Sequence, residues 1–222
     1  MDTYQTTRLW KNAFDPLQDG LDPQRIQLVE TYKKFRERVS QLLQLIHSEL
    51  PSLTVHDITH VDKLWDVASQ IAGPDYPLNP AEAFVLGGAF LLHDAAHCRA
   101  AFPGRLDELK ATTDWKDAAA QRGLDAEALT PGSEAFQAVL FDTLRVLHPR
   151  QARKLPFVHW TAPGETTPQF LLSDDELRKA YGEVIGEIAK SHWWHPHQLE
   201  TLTKRKINPP PAWNLPNGRW TC

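Results

Sequence analysis

The feature that most constrains this chain is a run of uncharged, almost wholly apolar residues, AFVLGGAFLL from Ala83 to Leu92, that ends in His93-Asp94. Asn79-Pro80-Ala81-Glu82 stands just before it and reads as an N-cap, a first-turn proline and the acid of a capping box, so the run is predicted to be helical. A helix that is apolar all round buries every side. Other helices must therefore surround it, and Gly87-Gly88 predicts that one of them, the helix begun by His60, approaches closely. The run is about half the length of the roughly 20 residues a membrane-spanning helix needs. Its polar end is the puzzle, because His93 and Asp94 must find partners that offset their desolvation.

The surrounding helices are legible as well. From Asp22-Pro23 to Leu50, the apolar positions Ile26, Leu28, Val29, Tyr32, Phe35, Val39, Leu42, Leu43, Ile46 and Leu50 recur at helical spacing, with Asp22 read as N-cap. Val61, Leu64, Trp65, Val67, Ala68 and Ile71 mark a second helix, opened near His60 and capped by Asp57 or Thr59; Gly73-Pro74 stops it. Short helical pieces are predicted around Leu106 to Lys110 and Asp114 to Arg122, and a longer helix from Ser133 to His148. Residues 155 to 172 read as a loop, followed by a capping box at Ser173-Asp174-Asp175-Glu176 and a helix to His192. With no convincing strand alternation, the predicted fold class is all-α, a helical bundle.

Composition narrows the partners. The net charge of −4 gives no overall field for nucleic acid, which is disfavoured as a partner, and the longest apolar run gives no membrane span. Two cysteines, Cys98 and Cys222, exclude a disulfide framework or a four-cysteine zinc site, and MDTYQTTRLWKN lacks the pattern of a secretory signal. A cytoplasmic location is expected. The proline-rich stretch INPPPAWNLPNGRWTC reads as a loop laid over a surface, and Trp213 and Trp220, if exposed there, would suit a surface that another domain covers.

Histidines gather where the helices end: His60, His93, His97, His148 and His192. Separate helices that each deliver an imidazole or a carboxylate to one point are how a metal site is built inside a bundle. The dipeptide His93-Asp94 alone has two readings, a metal-ligating pair at a fraying helix end or a satisfied core histidine beside a turn cap. His56-Asp57 lacks the apolar helix, so His60 is read as the ligand and His56 as at most an outer partner or a solvated loop residue. Trp193-Trp194 is read as packing under a loop, and Lys204-Arg205-Lys206 as a solvated helix end.

THVDKLWDVA followed by FLLHD, together with LRVLHPRQARKL and YGEVIGEIAKSHWWH, resembles the HD-domain superfamily of metal-dependent phosphohydrolases, including its two-metal, HD-GYP-like members. The run from about Leu53 to His197 is similar to HD domains that precede an ATPase module of the heat-shock-chaperone and histidine-kinase type in large bacterial proteins. The resemblance implies His60, His93 and Asp94 as the first metal ligands, Asp94 as a bridge if two ions bind, and His148 and His192 at the second ion. It implies divalent metal of the Mn, Fe, Zn or Mg class, one ion or two. His97 stands where some single-metal members carry Glu, and joins Asp94 as a candidate catalytic residue. The superfamily signature ends in a later Asp, yet no aspartate follows Asp175. Degeneracy, substitution by Glu200, and truncation of a longer polypeptide are the three accounts, and truncation is the one expected.

The expected activity is hydrolysis of a nucleotide or related phosphate ester, with Arg145 and Lys190 as candidate phosphate-holding residues. A regulatory, nucleotide-sensing domain coupled to a C-terminal ATPase is the alternative. HDAAH also approaches the His-Glu-x-x-His pattern of zinc proteases, although Asp is a methylene shorter than Glu. The organisation expected is an N-terminal helical segment at residues 1–52, an HD-like metal-binding domain at 53–207 and a Pro/Trp-rich tail at 208–222.

Overall fold

A computed structural model describes residues 3–51, 53, 56–200, 208–211 and 213. Among them the chain is a helical bundle, with α1 at Arg8–Phe14, α2 at Asp22–Glu49, α3 at Ile58–Ala72, α4 at Pro80–Leu92, α5 at Arg105–Lys110, α6 at Thr113–Gln121, α7 at Glu134–Lys154, α8 at Asp175–Ser191 and α9 at Pro196–Leu199. No helix among the described residues is long and apolar enough to cross a membrane.

The caps explain where the helices start. Asn79 accepts from Glu82 N while Glu82 Oε2 accepts from Asn79 N, the reciprocal pair of a capping box. Asp57 Oδ1 accepts from Thr59 N and His60 N, so Asp57 and not Thr59 caps α3. Asp22 lies one residue inside α2 instead of capping it. Leu21 is the N-cap, and the Asp22 carboxylate turns back to Leu17 N and Gln18 N and to the guanidinium of Arg25.

Helix α4 is the axis of the core, with ten of its 13 residues buried, which is what an all-round apolar sequence requires. Its two glycines admit neighbours from three directions. A Cβ on Gly87 would lie 2.5 Å from Trp65 Cζ2 of α3 and 2.6 Å from Tyr32 Cε2 of α2; one on Gly88 would lie 2.9 Å from Ile185 Cδ1 of α8. The helix begun near His60 is thus one of three that crowd this point. Trp65 Nε1 donates to Tyr32 Oη at 3.0 Å, and Arg36 forks onto the buried Asp62 carboxylate, joining α2 to α3.

Three features depart from the sequence reading. Helix α7 continues six residues past His148 to Lys154 with Pro149 inside it. The expected loop over 155 to 172 contains a minimal antiparallel hairpin, β1 at His159–Trp160 and β2 at Gln169–Phe170, whose Phe170 carbonyl accepts from Arg38 Nη1 of α2 at 2.7 Å. Near the N-terminus, Tyr4 and Trp10 are buried against Tyr32 and Trp65 in an aromatic cluster with an edge-on Trp10–Trp65 contact at 5.2 Å. Trp213 is half-buried against the core and donates to Gln27 Oε1 at 3.2 Å, so it is a packed residue and not a free one; Trp220 and Lys204-Arg205-Lys206 lie outside the described residues.

Candidate metal centre

The buried helix α4 ends at Leu92, and the chain turns so that the Asp94 carboxylate sits among imidazoles from four parts of the sequence. Its two oxygens have different company. Oδ2 lies 2.9 Å from His93 Nε2 and 3.5 Å from His56 Nε2. Oδ1 lies 3.7 Å from each of His97 Nδ1, His148 Nε2 and His192 Nε2. Ligand atoms of His60, His93 and Asp94 fall within 4.8 Å of one another, as do those of Asp94, His97 and His148.

Backbone carbonyls aim these rings. His93 Nδ1 donates to Phe90 O at 2.8 Å, His148 Nδ1 to Arg145 O at 2.7 Å, His192 Nδ1 to Ala189 O at 2.6 Å and His97 Nδ1 to Asp94 O at 3.1 Å. Each acceptor is three residues back. Phe90 and Ala189 belong to the last turns of α4 and α8, where carbonyls lack a helical donor. Arg145 lies mid-helix, and its carbonyl is left without the donor four residues on because that residue is Pro149, which has no N–H. A carbonyl can only accept, so Nδ1 carries the proton in all four rings; a neutral ring keeps its lone pair on Nε2, whereas His93 hydrogen-bonds Asp94 through Nε2 in its protonated form.

The electrostatics divide along the same line. Burial works against a charged His93, yet its hydrogen bond to Asp94 wins and raises its pKa above the ordinary imidazole value. Burial also opposes ionisation of Asp94, but the rings of His93, His97 and His56 hold its carboxyl well below the usual range. On the other side, burial pushes His97 down to about 4, and burial with the neighbouring His97 ring pushes His148 down to about 3. Burial lowers His192 and His60 too.

This donor set fits a divalent cation. His148 Nε2 and His192 Nε2 are 2.9 Å apart, and with both Nδ1 atoms donating to carbonyls, two neutral rings place lone pair against lone pair. His97 stacks on His148 with centroids at 3.7 Å. A positive charge shared by these nitrogens and Asp94 removes the conflict, and imidazoles with a carboxylate suit zinc, manganese or iron better than calcium.

The structure therefore brings together His60, His93, Asp94, His97, His148 and His192, all read from the sequence. Arg145 is exposed, with its guanidinium carbon 6.0 Å over the Trp193 ring, and Lys190 Nζ is 5.3 Å over Trp194. Trp193 is 49% exposed, which corrects the expectation that it packs under a loop. Glu200 is exposed in the turn after α9. His56 is the residue the sequence reading undervalued: its Nε2 reaches Asp94, and its ring lies 5.5 Å from His60 and 5.7 Å from His97. The one available signal was its place directly before Asp57, whose cap draws that strand of chain to the start of α3. The protease pattern needs both histidines on one helix, and α4 stops before His93 and His97.

Residues 50–222 match the model of a family described as HD-CE. No curated protein and no solved structure matches the chain. The match spans most of the sequence, and the chain belongs to the HD-CE family.

Proposed function

We propose that this member of the HD-CE family is a metal-dependent phosphohydrolase that cleaves a nucleotide or related phosphate monoester or diester, with water as nucleophile. The observation that carries the reading is the single Asp94 carboxylate with imidazoles on both oxygens and an Nε2–Nε2 contact of 2.9 Å between His148 and His192. In it, His60, His93 and Asp94 would hold one ion, and Asp94, His97, His148 and His192 would hold a second where two bind, of the Mn, Fe, Zn or Mg class. Such ions, when bound, lower the pKa of water and neutralise phosphoryl oxygens.

The chain's own groups prepare for this. Burial keeps His97, His148 and His192 in the neutral form that has a lone pair to give. Asp94 stays ionised and contributes the charge. Arg145 and Lys190, cationic and close to His148 and His192 in sequence, draw an anionic ester to this end of the bundle. The His192 side chain is 25% exposed, so solvent and substrate reach the cluster from that side, while His148 at 1% forms its floor.

One observation favours a second reading. Among the described residues Asp94 is the one acid in both ligand groups, whereas the superfamily signature calls for a later Asp. A regulatory domain that binds a nucleotide and reports to an ATPase module, in the cytoplasm, accommodates an all-histidine remainder. Metal analysis followed by a manganese-supported panel of nucleotides and bis-para-nitrophenyl phosphate separates the two. Bound metal with turnover that disappears in Asp94→Ala supports the hydrolase; bound metal and nucleotide without turnover supports the sensor.

A further inference from the structure

Trp193 differs from the buried tryptophans of this protein. Trp10, Trp65, Trp115 and Trp160 are 4%, 0%, 1% and 6% exposed, whereas Trp193 is 49% exposed. It is held in that position. His192 caps α8 and is pinned through Nδ1 to Ala189 O, and Trp194 N donates to Ser191 O at 2.9 Å, so the turn that carries Trp193 is fixed on both sides. A large apolar ring kept in water by a fixed turn loses the burial free energy its fellows gain, which a ligand can restore.

Its neighbours specify the ligand. The Trp193 ring meets His148 edge-on at 5.1 Å, and His148 is one of the rings that face Asp94 Oδ1. Arg145, one turn before His148 on α7, places its guanidinium carbon 6.0 Å from the same indole. An imidazole of the cluster and a guanidinium therefore both adjoin one exposed indole, His148 at 5.1 Å and Arg145 at 6.0 Å. Trp194, with Lys190 over its ring, is half-buried and so offers less free surface than Trp193.

The geometry points to Trp193 as a stacking platform for the base of a nucleotide whose phosphate lies among the imidazoles facing Asp94, with Arg145 beside both; this rests on the phosphate-binding reading above. Stacking tolerates any base, because every base has a π-face, so the platform selects nucleotides as a class and not one among them.

The test is calorimetric titration of the manganese-loaded full chain with adenosine 5′-monophosphate, guanosine 5′-monophosphate, ribose 5-phosphate and inorganic phosphate. Both nucleotides are expected to bind about tenfold or more tighter than ribose 5-phosphate, the scale of one base stacked on an aromatic ring. In Trp193→Ala that ratio falls toward one, and Trp193→Phe keeps most of it. Nucleotide and ribose phosphate binding equally in the unaltered protein, or a ratio unmoved by Trp193→Ala, overturns the platform and leaves the phosphohydrolase reading standing. No binding of any phosphate overturns both. Trp193-dependent nucleotide binding without hydrolysis upholds the platform and moves the protein to the sensing role.

Discussion

The two oxygens of Asp94 face unlike surroundings. On the Oδ2 side, His93 is drawn toward the protonated form by the carboxylate 2.9 Å away, and His60 is exposed. On the Oδ1 side, His97 and His148 are buried, stacked and pushed down to about 4 and about 3. One side accommodates a proton and the other resists it. The difference teaches that burial and direct hydrogen bonding, acting within a few ångströms, prepare one carboxylate for two distinct roles.

Removing the shared carboxylate should have the largest effect, because it erases both sides at once. Asp94→Ala is expected to lower metal affinity and Mn-supported hydrolysis by about 100-fold or more, beyond the scale on which even an outer partner of a metal ligand counts. Metal content and turnover measured on the same preparation check this, and a variant with full metal and full activity sinks the assignment. Next in size, His93→Ala and His148→Ala should each lose metal from one side only. If two ions bind, elemental analysis then reads one equivalent lost in each, and identical total loss in both variants would merge the two sides into one site.

A third measurement reads the asymmetry without metal. The folded values of His97 and His148 lie below the ordinary 6.5, so the folded state takes up fewer protons than the unfolded chain in that range. Their contribution to stability is whole above pH 6.5 and drains as pH falls toward about 3. Raised His93 has the opposite sign, its contribution present at low pH and lost as pH rises through its folded value. Two strongly depressed rings outweigh one raised ring. In chelator, Tm is expected to fall by at least about 5 °C from pH 7 to pH 4, and by less in a His148→Phe variant; equal falls in both proteins would remove the buried His97–His148 pair as the cause.

Much of this was written locally in the chain. The all-round apolar helix, its capping box and the pair His93-Asp94 are contiguous, and a contiguous pattern needs no knowledge of the rest of the fold. His60, His148 and His192 were legible because the spacing puts each at or near the end of a predicted helix, an end that α7 overruns by six residues at His148, with a family pattern to join them. His56 was undervalued because its role depends on where the approach to α3 meets the end of α4, a tertiary fact that no local spacing records. The same holds for Trp193, whose exposure is set by the turn after α8 and by what lies across from it on α7. The N-terminal aromatic cluster escaped because α1 is only seven residues long, and the partners of its rings are on α2 and α3.

Pro149 carries a consequence beyond the helix it interrupts. By withholding an N–H it leaves the Arg145 carbonyl to His148, so a flaw in the helix orients a ring. Pro149→Ala supplies that N–H and mends α7, and it should stabilise the fold by up to about 3 kcal/mol in denaturant titration. The same change gives the carbonyl a competing donor and frees the His148 ring to turn, so metal affinity should weaken by a few-fold, the smallest effect expected here. Stability alone gives no reason for a proline here; the worth of Pro149 lies in what it refuses to bond.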